Sequence, residues 1–412
     1  MEKRLIGPFR QIIPMTHLPG KGPVADEQLP IIVEGGVVVE DGKIAAIDTW
    51  EKLSSFPGIS REIVSGDKVL MPGLIDAHTH ICYAGSRVND YAMRVAGKSY
   101  LEIAAAGGGI WTSVSHTRAA DKDHLLEETR IRARRLLADG ITTVEVKSGY
   151  GLSVADELKM LEVIAAVGEM EKIDTISTCL AAHIKPKDFA GDESAYLHMI
   201  LADLLPKIQA RNLTRRVDIF IEETAFPVAA AEPFLREAQR MGFEITIHAD
   251  QFSTGASELG VKLGARSLDH LEASGEREIA MIGSSSCVAV VLPGASLGLG
   301  MPFAPARKLL DAGACLAIAS DWNPGSAPMG DLLMQAAVMG AAEKLSVAET
   351  LAGITTRAAM ALGLPDRGVL QPGKIADMIA FPARDYRDVM YFQGKMKPVM
   401  VWKNGRNVLS EK

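Results

Sequence analysis

The chain has 412 residues, 48% apolar and 23% charged, with a formal net charge of −7. That length supports one large core and a smaller appendage, and the acidic balance, with a pI of about 5.8, argues against a nucleic-acid surface. Residues 1–14 mix Lys3, Arg4 and Arg10 into an apolar stretch that lacks the continuous core of a leader, and no apolar run reaches membrane-spanning length. A cytoplasmic protein with no nucleic-acid or membrane partner is therefore expected.

The N-terminal 66 residues read as short strands. Residues 10–28 lengthen this region and carry no signal beyond that of a surface loop. Residues 31–33 are β-branched and are expected to break at Gly35-Gly36. Residues 37–39 and 44–47 flank Asp41-Gly42, a strong hairpin signal.

Residues 69–80 (VLMPGLIDAHTH) hold the first chemical signal. An apolar strand over residues 69–76 runs into His78 and His80, which share one face of an extended chain while Thr79 points away. Paired imidazoles at such a strand end suit one metal ion. Further on, Gly107-Gly108-Gly109 follows a helical stretch and not a strand, so it does not read as a phosphate cradle; a turn or a close approach of backbone to substrate fits better.

From there the pattern alternates. Strands are expected at residues 141–147, 175–183, 217–222, 243–248, 266–270, 287–292 and 315–321. Helices are expected at 124–137, 155–167, 193–210, 229–241 and 276–282. With residues 69–76 this makes eight strands, the pattern of a closed parallel (β/α)8 TIM barrel. An open doubly wound sheet ranks below it, because no GxGxxG follows an early strand. At the C-terminus, residues 368–381 read as strand, Pro-Gly turn, strand, and residues 399–408 as a hairpin turning at Asn404-Gly405. Neither end can cover both faces of a sheet alone. The expected fold is therefore a barrel over residues 67–362, with a small composite β-sandwich built from residues 1–66 and 363–412.

Ionisable residues recur at the C-terminal ends of the expected strands: His78, His80, Lys147, His183, Glu222, His248, His270 and Asp321. Any one of them could be a satisfied structural group, but a whole ring facing one cavity is how a barrel builds an active site. His78, His80, His248 and Asp321 supply nitrogen and oxygen ligands that suit one Zn²⁺ or Fe³⁺ with a position left for water. A bound ion would bring that water towards neutral pKa, and His270 and Asp321 are the natural catalytic proton handlers beside it. Arg87, on the first loop of the same face, suits a substrate carboxylate. Tyr150 offers a hydroxyl, and the turn through Asn323, Gly325 and Ser326 offers backbone N–H groups and polar side chains. The four cysteines, Cys82, Cys179, Cys287 and Cys315, lie far apart with no CxxC pair, which excludes a disulfide frame or a zinc knot as the organising feature.

PGLIDAHTH, HAD, DHL and SDWNPGS resemble the amidohydrolase superfamily of metal-dependent barrels. More narrowly, AGSR, SYLEIAAAGGGI, EVKSGYG, AAH at 181–183, HADQ at 248–251 and NPGS resemble the imidazolonepropionases, from about Ile31 to the C-terminus. The resemblance implies hydrolytic ring opening of 4-imidazolone-5-propanoate to N-formimidoyl-glutamate in histidine degradation, with one Zn²⁺ or Fe³⁺ held by His78, His80, His248 and Asp321. It also implies that Arg87, Tyr150 and His183 hold the small-molecule substrate, that Asn323, Gly325 and Ser326 hold its other end, and that His270 polarises the carbonyl or shares the proton. Gln251 departs from members that carry Glu there. An amide cannot act as a base, so Gln251 is expected to be a substrate contact and the base to be His270 or Asp321. Lys147 could be carbamylated, as in binuclear relatives, but SGYG after it favours a charge-pairing lysine. Glu222 is either a support for a ligand histidine or a solvated strand end. Two other functions fit the same ring: an aminohydrolase of a cyclic amidine or purine, and a non-catalytic binding protein on the same scaffold. An apolar barrel flank could form a homodimer.

Overall fold

The computed structural model describes residues 3–409. Its first five strands are β1 (Arg4–Ile12), β2 (Ile32–Glu40), β3 (Lys43–Thr49), β4 (Ser60–Ile63) and β5 (Val69–Pro72). Eight more follow in a parallel set: β6 (Leu74–Asp76), β7 (Ile141–Lys147), β8 (Asp174–Ala182), β9 (Arg216–Phe220), β10 (Glu244–Ala249), β11 (Ser267–His270), β12 (Val288–Val291) and β13 (Cys315–Ile318). The chain ends with β14 (Met378–Phe381), β15 (Met400–Lys403) and β16 (Arg406–Asn407).

Strands β6 to β13 pair in sequence order, each parallel to the next. Their residues are almost all buried, as strands covered on both faces must be. The two ends of the set meet just beyond β6 and β13: Asp321 N–H donates to His78 O (3.0 Å) and His80 N–H to Trp322 O (2.9 Å). The expected (β/α)8 barrel is therefore present, and its closing seam carries two of the histidines and Asp321. Helices cover the outside, among them Lys122–Ala138, capped by Asp121, and Val154–Met170, capped by Ser153. The helix expected at 193–210 is one body widened to i→i+5 bonding over Ile200–Leu204.

The other eight strands form one sheet from both ends of the chain, in the order β16-β15-β14-β5-β1-β2-β3, with β4 also on β1. Strand β1 is the fork: its first residues pair with β4 and its last with β5. The two branches face each other across a core that includes Phe9, Val64, Leu70 and Trp402. Trp402 packs edge-on against Phe9 at 5.9 Å and donates its indole N–H to Glu62 at 2.8 Å. Both expected hairpins are formed, with Asp41-Gly42 and Asn404-Gly405 at positive φ.

Four local expectations change. Of residues 368–381, expected as strand, turn, strand, only β14 is a strand; residues 368–370 form none. The strand expected over residues 69–76 divides between the two sheets, because β5 pairs with β1 and β14 while β6 pairs with β7. Gly73 sits at the crossing, where a Cβ would lie 2.2 Å from Thr142 Oγ1, so only glycine passes. Strand β2 runs unbroken through Gly35-Gly36. Those glycines make room instead, since a Cβ on Gly35 would stand 2.5 Å from Ile12 Cδ1. Finally, residues 10–28 are not a surface loop. Residues up to Ile12 belong to β1, while Ile13, Met15 and Val24 are buried. Arg357 holds the segment down by donating to Gly22 O at 2.6 Å and Pro19 O at 3.2 Å.

The sheet is fastened to the barrel by buried charge. Lys403 on β15 reaches Asp377 (2.6 Å) and Asp174 (2.8 Å), the first residue of β8. Replacing Lys403 with Ala leaves the Asp377 carboxylate, only 3% exposed, with a single backbone donor from Asn404. Removing one partner of a buried pair costs about 3 kcal/mol or more, so Lys403→Ala should lower the urea midpoint accordingly, with the slope of the transition unchanged.

Candidate metal centre and active site

The segment after β6 stays extended because β7 and the chain after β13 grip it from both sides. Thr79 donates its hydroxyl to Glu145 O at 2.6 Å, and Lys147 N–H donates to Thr79 O at 2.9 Å. With Thr79 turned outward, His78 and His80 both face the barrel axis. His248 enters from β10. The Nε2 atoms of His78 and His80 lie 3.2 Å apart, and those of His80 and His248 3.4 Å apart. Asp321 Oδ1 is 3.6 Å from His78 Nε2 and 3.4 Å from His80 Nε2. All four side chains are nearly inaccessible to solvent.

The tautomers follow from the other ring nitrogens. His78 Nδ1 lies 2.6 Å from Asp269, and His248 Nδ1 lies 3.0 Å from Asp218. A carboxylate there favours the tautomer that keeps its proton on Nδ1, facing the acid, and leaves the lone pair on Nε2. Burial drives His78 and His80 well below the ordinary imidazole range, so both are neutral. Neutral imidazoles with electron pairs converging on one point, beside a carboxylate, make a donor set that a divalent or trivalent cation satisfies.

The remaining ring members surround this point. His270 closes on it with ring centroids 5.3 Å from His248 and 5.9 Å from His78. Its Nδ1 is 3.4 Å from Glu272, and although burial opposes protonation, that carboxylate carries His270 above the ordinary range. His183 stacks on His80 at 5.5 Å, and its Nδ1 lies 3.0 Å from Gly149 O. Burial, aided by His248, pushes it down to about 3, so it presents a neutral Nε2. Tyr150 lies 6.1 Å from His80 and 5.6 Å from His183, and its phenol is raised by burial and stays protonated.

Arg87 crosses the first loop to the turn after β13. A Cβ on Gly325 would stand 2.3 Å from Arg87 Nη1, so the missing side chain is what admits the guanidinium. Asn323 folds that turn: its Oδ1 accepts from Gly325 N (2.7 Å) and Ser326 N (2.8 Å), and its Nδ2 donates to Asp321 O (2.8 Å). Ser326 Oγ reaches Asp321 Oδ2 at 3.4 Å. Gln251 is buried on the loop after β10, with no side-chain hydrogen bond among the described residues. Glu222 neither supports a histidine nor meets solvent. It anchors that loop by accepting from Phe252 N (2.8 Å) and Ser253 N (3.1 Å).

Four acidic residues escaped the sequence reading: Asp218, Asp269, Glu272 and Asp90. The first two sit inside apolar strands, where a lone Asp is the only sign. Asp90 is buried on the helix Val88–Val95 and accepts from Arg87 Nε and from Gly109 N–H, each at 2.8 Å. It thus ties Arg87 to the triple-glycine turn. Asp90→Ala strands a buried N–H, a loss worth about 1–3 kcal/mol. Amide exchange at residues 107–110 should then quicken by about tenfold or more, with the barrel amides unaffected.

The fold and site define a class, and the comparisons agree with it. Residues 69–408 match the model described as the amidohydrolase family, and the chain belongs to that family. Among solved structures, it resembles a zinc-bound adenosine deaminase from Xanthomonas campestris (TM-score 0.72, 20% identity, 98% of this chain and 92% of that one). It also resembles an atrazine chlorohydrolase from Arthrobacter aurescens (TM-score 0.71, 18% identity, 99% and 97%). At those identities the likeness speaks for the fold alone. Curated relatives place the chain more narrowly. It is 38% identical to the imidazolonepropionase of Deinococcus deserti over 411 residues, 99% of this chain and 100% of that one. The enzyme of the same name from Bacillus cytotoxicus is 38% identical over 92% of this chain and 90% of its own, and that of Bacillus cereus 37% over 92% and 89%. Within the amidohydrolases, the chain falls among the imidazolonepropionases.

Proposed function

We propose that this chain hydrolyses the ring of 4-imidazolone-5-propanoate to N-formimidoyl-L-glutamate, a step of histidine degradation, at a single bound metal ion. The observation that carries the reading is end-to-end similarity, at 38% identity, to an enzyme named for that activity, in a chain whose donor set converges on one point. His78, His80, His248 and Asp321 would hold one Zn²⁺ or Fe³⁺ per subunit. Such an ion lowers the pKa of water and polarises a carbonyl.

The chain's own residues supply the rest. Arg87 binds the propanoate carboxylate, and Tyr150 and His183 hold the ring above His80. Asn323, Gly325 and Ser326 shape the opposite wall, and Gln251 offers an amide to the substrate. Asp321 takes a proton from the attacking water as its oxygen bonds to the ring carbonyl carbon. His270, backed by Glu272, hydrogen-bonds the carbonyl oxygen and passes a proton to the ring nitrogen as the C–N bond breaks. One water is consumed, and the new carboxylate and the formimidoyl nitrogen remain in one open-chain product. A cytoplasmic enzyme whose partner is this small molecule is consistent with the net charge and with the absence, among the described residues, of a helix long and apolar enough to cross a membrane.

The test is ultraviolet loss of imidazolone propionate with pure, metal-replete protein beside an active control; no turnover there would end the proposal. Two variants sharpen it. Asp321→Ala should abolish turnover and lose most of the bound metal by elemental analysis, whereas near wild-type turnover would remove Asp321 from the centre. Arg87→Ala should mainly raise KM, because a carboxylate far from the reacting bond is held alike in substrate and transition state; an unchanged KM would place Arg87 outside the pocket.

A further inference from the structure

Beneath the histidines lies a charged layer that the reaction above does not use. Lys147, at the end of β7, is 1% exposed, and its ammonium touches no water-facing group. Its Nζ lies 2.8 Å from Glu145, 2.8 Å from Asp218 on β9 and 3.6 Å from Asp269 on β11. Lys147, Asp218 and Asp269 come from alternate strands of the barrel, and the side chains of alternate strands share one layer of a barrel interior. Where such a layer is ordinarily branched and apolar, this one is an ion cluster. Burial favours the neutral amine, yet the three carboxylates outweigh it and hold Lys147 above the ordinary lysine range. A nitrogen kept fully protonated has no lone pair, so it neither carries a carbamate nor acts as a base.

The cluster has a direction. Asp269 presents Oδ2 to His78 Nδ1 at 2.6 Å, and Asp218 presents Oδ2 to His248 Nδ1 at 3.0 Å. Those oxygens are the ones that face Lys147 Nζ. One ammonium therefore stands behind both carboxylates that orient the two histidines. His80 differs in having no carboxylate against its Nδ1; that of His248 meets Asp218 as a 3.0 Å charge contact without hydrogen-bond geometry.

We propose that Lys147 is the positioning residue of the metal centre: it fixes Asp218 and Asp269, and through them aims Nε2 of His248 and His78 at a common point. This rests on the metal-centre reading above. Without the ammonium, two buried carboxylates repel each other across the layer and each is free to turn from its imidazole. Removing the orienting partner of a ligand histidine costs roughly tenfold to a hundredfold in metal affinity. Lys147 stands behind two of them.

The experiment measures zinc affinity by competition with a coloured chelator on metal-stripped protein, together with the visible absorption of the cobalt-loaded form. Lys147→Met should weaken zinc binding by roughly tenfold to a hundredfold and alter the cobalt bands. That variant leaves three carboxyl groups without a cation and can fail to fold, so Glu145→Gln/Lys147→Met, which removes one charge of each sign, is measured beside it. The double variant should keep the wild-type circular dichroism and the weakened zinc binding, while Lys147→Arg should recover most of the affinity. A folded double variant with wild-type zinc affinity and cobalt bands would overturn the inference. So would loss of the fold in the double variant, which would make Lys147 a core residue only. If the wild-type chain binds no zinc or cobalt, the metal-centre reading itself falls first.

Discussion

Neutral imidazole nitrogens aimed at each other in a dry place are the constraint on which this molecule turns. The Nε2 atoms of His78, His80 and His248 have been taken out of water and turned toward one another. Buried polar atoms without partners cost several kcal/mol each, and here three converge within about the width of an ion. The fold must hold that arrangement against its own tendency to relax. It does so by locking the far side of two rings to carboxylates and by seating the first pair on the seam where the barrel closes.

The position of the seam explains much of the architecture. Closure requires the chain after β13 to meet the chain after β6, and the backbone bonds that make it also fix His78, His80 and Asp321 relative to one another. Asp76 takes part as well, accepting from Ser320 N at 2.9 Å, with burial lifting its carboxyl to about 7. The terminal sheet bears on the same place, because β5 and β6 are one run of chain bent at Gly73. A sheet that holds β5 between β1 and β14 also sets where β6 enters the barrel. That coupling gives both ends of the chain a reason to fold together beside a site neither contributes to.

Much of this was legible from residue order. Parallel strands buried on both faces leave continuous apolar runs, and apolar runs that repeatedly end in His, Lys or Asp cannot be explained by core packing. What stayed hidden was of two kinds. Strand β1 mixes Arg4, Arg10 and Gln11 with a Gly-Pro pair, and its pairing is divided among β2, β4 and β5, so no local periodicity announces it. The carboxylates of Asp218 and Asp269 were hidden for the opposite reason: each is one residue in an otherwise good strand, and its meaning exists only once alternate strands are brought into a layer. Glu222 was conspicuous by its position and proved to serve the backbone of the next loop.

On the proposed function, the guanidinium of Arg87 is what would separate this pocket from those that bind neutral rings. Its Nε is committed to Asp90 and its Nη1 rests over Gly325, where no side chain intervenes. Among the described residues, no hydrogen bond occupies the Nη1 and Nη2 edge. A planar fork anchored at one nitrogen and open at its other edge is set for bidentate carboxylate binding, and the ordering of the side chain has already been met by Asp90. A neutral base would leave that half-buried charge facing an uncharged ligand. Asp90 also fastens the triple-glycine turn, so that turn and the charge proposed to recognise the substrate are held by one acid.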